Sequence, residues 1–177
     1  MRRFILLPVA LLAALALVAP IGAQSKPNFS GEWTMVPEKS DFGQMPKPTT
    51  MTRTITHTDP ALKIVTTQTG GAMGDITLTT AFTTDGKPQK NDVSGSPMTT
   101  VGKWDGDAIV LDSTLSQQGN DISIRDRFVL SDSGKTLTLT RTLASAPGAG
   151  DGFTMTIVMT KKAGESVPHG SSAARAR

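Results

Sequence analysis

The sequence predicts an all-β domain, an antiparallel up-and-down β-barrel of about 8–10 strands. Three observations carry this. Apolar and polar residues alternate with period 2 along most of the chain, and no useful window shows a helical apolar stripe. The alternating runs are rich in Thr, Val, Ile and Met and are broken at short intervals by Gly, Asp and Pro. Tight-turn signals join consecutive runs, and a meander this long in one domain closes on itself to remove vulnerable edges. A two-sheet β-sandwich is the alternative.

In order, residues 1–23 come first. Arg2 and Arg3 give a charged start, Phe4 to Val18 is apolar apart from Pro8, and Gly22 and Ala23 are small. This is the layout of a signal peptide cleaved after Ala23. An uncleaved anchor is the rival, but the run is short against the roughly 20 apolar residues of a span. The expected location is therefore periplasmic or secreted, with no membrane span after cleavage. The leader holds two of the 18 Lys+Arg, set against 15 Asp+Glu, so the exported domain is nearly neutral. The pI of 9.4 is then no argument for nucleic acid. Cysteine is absent, which excludes disulfides and thiol chemistry.

The barrel domain spans 24–162, and the small polar residues 163–177 read as a disordered tail. Strands are expected at 29–36, 49–57, 61–69, 75–83, 88–94, 97–104, 107–115, 121–130, 136–143 and 153–161. "TDGK" (84–87) and "WDGD" (104–107) carry Asp-Gly hairpin signals, and "DSGK" (132–135) carries a similar Ser-Gly. Pairing across Asp85-Gly86 would turn Gln89 and Asn91 inward. Residues 37–48 hold three prolines and a glycine, and form a loop where a barrel could have a lid.

Alternation assigns the faces. Leu137, Leu139 and Leu143 point in while the threonines at 136, 138, 140 and 142 point out. On the last strand Phe153, Met155, Ile157 and Met159 share a face. Two charges break the pattern: Arg141 lies on a leucine face and Asp126 on an Ile/Phe face. Closing the hairpin at Ser133-Gly134 sets Leu130 opposite Leu137, Phe128 opposite Leu139 and Asp126 opposite Arg141. The misplaced charges then meet. They form a structural ion pair, or Arg141 lines a cavity and anchors a ligand carboxylate in a bidentate fork. The two roles are compatible. In "TMTRTITHT" (50–58), Arg53 and His57 alternate in step with Met51 and Ile55. They face inward too, unless this strand twists near an edge and lets them reach solvent.

The first strand reads "NFSGEWTMV", with Phe29, Gly31, Trp33 and Met35 on one face. Trp33 plugs a barrel end, and Gly31 makes room beside its ring or lets the strand bend. Here the chain resembles the calycin group, the lipocalins and fatty-acid-binding proteins, which open with Gly-x-Trp on the first strand. The resemblance implies a late-strand arginine packed across Trp33, with Arg141 the candidate. The order of leader, Gly-x-Trp, long loop and meander also resembles secreted bacterial lipocalin-like proteins, some with a similar "KSDFG" loop, here Lys39 to Gly43. Two departures stand out. The last strand lacks the Arg-x-Tyr of the fatty-acid-binding families, and no short helices are evident after residue 36.

No enzyme is expected. His57 and His169 are the only histidines, with His169 in the tail, and neither a Ser/His/Asp set nor metal-ligand spacing is legible. "TGGAMGD" (69–75) precedes a strand rather than a phosphate-cradling helix. No cofactor is expected. The expected function is an exported, monomeric carrier of a small apolar or amphipathic molecule. Arg141 and Arg53, with Asp126, would sit at its polar end, and Trp33, Leu139, Met155 and Ile157 would contribute to the interior. The alternative is an envelope interaction or structural module with a filled barrel.

Overall fold

The computed structural model describes residues 26–145 and 152–163. The expected leader at 1–23 and the tail beyond residue 163 lie outside the described residues. Ten strands follow in order: β1 (Gly31–Met35), β2 (Pro48–Thr58), β3 (Ala61–Gly70), β4 (Ile76–Thr83), β5 (Asp85–Val93), β6 (Ser96–Asp105), β7 (Ala108–Gln117), β8 (Asn120–Ser131), β9 (Thr136–Ser145) and β10 (Phe153–Lys161). They form one antiparallel sheet in the order β4-β3-β2-β1-β10-β9-β8-β7-β6-β5, curled into a nearly closed barrel. The first and last strands meet where β1 pairs β10, placing Trp33 opposite Lys161.

The β8–β9 register is the one the sequence sets: Leu130 faces Leu137, Phe128 faces Leu139 and Asp126 faces Arg141. The turn itself is longer than two residues. Ser131 pairs Thr136, and Asp132–Gly134 form a 3-10 turn with positive φ at all three positions.

The expected β4–β5 hairpin is not formed. The chain turns at Asp85-Gly86, but Asp85 already pairs with Lys103 of β6, and β4 and β5 are the two ends of the sheet. Gln89 and Asn91 are half-buried, on the same face of β5 as Val93, which lines the interior, so their inward parity holds although the hairpin does not. Asn91 spans the seam instead. Its Nδ2 donates to the Ala81 carbonyl at 2.9 Å, and its Oδ1 accepts the Ala81 N–H at 2.7 Å. One side-chain amide thus replaces a missing pair of ladder bonds. Nearby, Gly102 of β6 lies under the carbonyl of Thr83, where an added Cβ would collide with that oxygen and sit 2.8 Å from Leu111 Cδ2. Gly102→Ala is expected to cost about 1–3 kcal/mol by overpacking, read as a lowered denaturant midpoint.

Loop 37–48 is tied to β10. Asp41 and Thr156 exchange both backbone bonds, at 2.8 and 2.7 Å, and Ser40 Oγ accepts the Val158 N–H at 3.0 Å. This anchoring swings Phe42 inward to 6% exposure, so the loop does cover one end of the barrel. Among the described residues its only helical piece is the 3-10 turn Pro37–Lys39.

Candidate functional site

The two ends of the barrel differ. At one end, the base, Phe29, Trp33, Leu137 and Met159 are at most 1% exposed and pack solidly. Trp33 donates its Nε1–H to the Phe29 carbonyl at 3.1 Å. The cation over its ring is Lys161, with Nζ 5.3 Å from the ring centroid, and not Arg141 as the resemblance implies. Gly31 makes this possible, because a Cβ there would run into Lys161 Cε. The glycine two residues before Trp33 therefore leaves room for a lysine stem to cross the tryptophan.

Toward the other end the side chains leave a cavity of about 360 Å³. Its wall is mainly apolar, including Met51, Ile64, Leu111, Phe128, Met155 and Ile157, and Phe42 and Met45 of the long loop cover it. Cavities of this size lined by apolar groups with a few polar ones are the usual form of small-molecule sites. Period-2 alternation turned Met51, Met155 and Ile157 inward in the sequence, and here they form wall. Trp33 and Leu139 are both fully buried, but they belong to the packed core outside the cavity lining.

Three charged groups share that wall: Arg53, Asp126 and Arg141. Arg141 holds Asp126 in a bidentate fork, Nε to Oδ1 at 2.7 Å and Nη2 to Oδ2 at 2.6 Å. The Asp126 side chain is 9% exposed and that of Arg141 29%. Burial pulls the Arg141 guanidinium down, but Asp126 outweighs it and the net shift is upward. Arg53 is inward, 6% exposed, which excludes the twisted-edge reading. It lies opposite Trp33 in the β1–β2 register, with its guanidinium carbon 5.9 Å from the Phe128 ring centroid. Its Nε is buried and has no hydrogen-bond partner among the described residues. Burial and the repulsion of Arg141, partly countered by Asp126, push it down to about 10. Among the described residues, two guanidiniums and one carboxylate leave the site with one uncompensated positive charge and an unused donor.

The sequence reading missed the contributions of Gln68 and Phe82 to the lining. Gln68 is buried, and its Nε2 donates to the Gly70 carbonyl at 3.2 Å. Alternation carried one position further along β3, from Leu62 and Ile64 through Thr66, finds it. Among the described residues no group of three or more His, Cys, Asp or Glu side chains could hold a metal.

The barrel resembles proteins of known structure. Secretory abundant heat soluble protein 4 from Ramazzottius varieornatus superposes with a TM-score of 0.55 at 12% identity, over 80% of this chain and all of that one. The REP1-NXSQ fatty acid transporter, as its Y128F mutant, gives 0.52 at 16% identity, over 76% of this chain and 98% of that chain. The fold is calycin-like. A further SAHS protein from the same organism gives 0.54 at 11% identity, covering 75% of this chain and 94% of its own. No family model matches the chain, and the comparison with curated proteins found no match. At these identities the calycin-like likeness concerns the fold, and the ligand has to be argued from the cavity.

Proposed function

We propose that this protein is a non-enzymatic, exported carrier that holds a small amphipathic molecule inside the barrel, its acidic or polar end at Arg53 and Arg141. The observation that carries this is the buried, unpartnered Nε of Arg53 on the wall of an otherwise mainly apolar cavity of about 360 Å³. A buried donor left unmade is costly, and a ligand oxygen would satisfy it. A bound anion would also offset the burial and the repulsion of Arg141 that together push Arg53 down. The fatty acid transporter of the same fold supports the general class. The cavity supports a carrier over a filled interaction module. Export rests on the leader pattern of residues 1–23, and action as a monomer, without nucleic acid, accompanies this reading.

Titration with an environment-sensitive naphthalenesulfonate dye, displaced by straight-chain carboxylates, tests it. Arg53 makes no ion pair among the described residues, so Arg53→Leu should stay folded. It should weaken carboxylate binding by about ten- to a hundredfold, the worth of a charged hydrogen bond. The matching neutral alcohols should lose far less. Equal losses for acid and alcohol, or no binding of either to the wild type, would defeat the reading.

A further inference from the structure

A second polar group is buried at the base, away from the cavity. His57 of β2 is 6% exposed. Its ring packs in a triangle with Phe29, edge-on with centroids 5.9 Å apart, and Trp104, tilted at 5.7 Å. Nδ1 accepts the backbone N–H of Phe29 at 3.3 Å. That bond requires an unprotonated Nδ1, so the imidazole is neutral with its proton on Nε2. Nε2 is itself buried without a hydrogen-bond partner among the described residues. The nearest carboxylate oxygen, Asp59 Oδ1, is 3.8 Å away and already accepts Thr84 Oγ1 at 2.5 Å and Trp104 Nε1 at 2.8 Å.

The N-terminal lead 26–30 is fastened to the barrel at this point. Ser30 Oγ accepts the His57 N–H at 2.9 Å and donates to the His57 carbonyl at 3.1 Å. Lys26 Nζ donates to the Gly106 carbonyl at 2.8 Å and lies 5.3 Å from the Trp104 centroid. Phe29, 1% exposed, is the plug itself, and its carbonyl is the partner of Trp33. The charged groups around the ring are Asp59 from the β2–β3 turn, Lys26 from the lead, and the Asp105–Arg127 pair beyond Trp104. Among the described residues Asp59 is the carboxylate placed to meet an imidazolium; it is half-exposed, and its near oxygen, Oδ1, already accepts two hydrogen bonds. A proton on Nδ1 would leave two donors facing each other, Nδ1–H and the Phe29 N–H, with no acceptor between them.

We infer that His57 is a proton-operated latch: protonation at Nδ1 breaks its bond to Phe29 and releases the N-terminal lead from the barrel base. Burial, ahead of the opposing pull of Asp59, holds the imidazole below its usual range. The sign follows. The lead is fully seated above the ordinary histidine value, and loosens as pH falls below it, because the released state binds the extra proton. One proton per opening gives a fall in protection of at most about tenfold per pH unit.

Amide hydrogen exchange of the protein, expressed as protection factors between pH 7.5 and 5, reads this out. Phe29, His57 and Trp33 amides should lose protection as pH falls, while the β8–β9 ladder stays constant. His57→Gln, which keeps an acceptor and cannot titrate, should remove the pH dependence at the lead. Wild-type protection that stays flat to pH 5, or falls equally in His57→Gln, would overturn the inference. Should the glutamine fail to seat the lead, the 15N shifts of the wild-type ring decide. An Nδ1 that carries a proton at pH 7.5, or titrates without release of the lead, also overturns it.

Discussion

Asp126→Asn is expected to destabilise the barrel by about 3–5 kcal/mol in chemical denaturation at neutral pH. Among the described residues Asp126 is the one carboxylate against two guanidiniums on the cavity wall, Arg141 in a bidentate fork and Arg53 held down by burial and by Arg141. Asparagine keeps the shape and removes the charge. A buried cation, Arg53, and a half-buried one, Arg141, then face each other with an amide between them, and the amide turns an NH2 toward a donor. Arg141→Met should cost less, about 2 kcal/mol for the lost charged hydrogen bonds, because Arg53 remains to offset Asp126. The ordering is the diagnostic, since a simple pair would lose equally from either side. Replacing both Asp126 and Arg141 with leucine and methionine should recover most of the loss, as apolar groups in place of a buried pair often do. A cost below about 0.5 kcal/mol for Asp126→Asn would mean the pair behaves like an exposed one.

That pair also shows why so much of this fold is legible locally. In a half-buried strand every second residue is committed to one face, so a charge on the apolar face is conspicuous. Arg141 and Asp126 were each conspicuous, and a single turn position sets them opposite one another. Met155 and Ile157 reach the cavity wall through the same parity rule. The rule stops where information is not local. "TDGK" marks a reversal, but the splay of β4 from β5 depends on how the whole sheet curls, and on Gly102 admitting the Thr83 carbonyl. Likewise the partner of Trp33 is fixed by the closure of β1 on β10. The resemblance pointed to Arg141 alone, and it is the Trp33–Lys161 register that brings a lysine to the ring instead. Arg53 was ambiguous for a related reason. Its neighbours alternate cleanly, but whether β2 is an edge or an interior strand is decided by pairing with β1 and β3 on either side.

Trp33→Ala is the other change expected to cost heavily, about 3–5 kcal/mol. The side chain is fully buried, so its removal leaves a hole at the packed base that the surrounding strands fill only in part. Two further contacts go with it. The Phe29 carbonyl loses the indole N–H at 3.1 Å, and Lys161 loses the ring beneath its ammonium. The first loss reaches the lead, since Phe29 is then held by its own packing and by the Nδ1 of His57 alone. Trp33→Phe separates these contributions. It keeps an aromatic face for Lys161 and most of the volume, and should cost about 1–2 kcal/mol through the lost hydrogen bond and the smaller ring. Because Trp33 is outside the cavity lining, the folded phenylalanine variant should bind the naphthalenesulfonate dye as the wild type does. Weakened dye binding in that variant, at unchanged secondary structure, would mean that base and cavity are coupled and that the packed floor beneath Arg53 transmits the change.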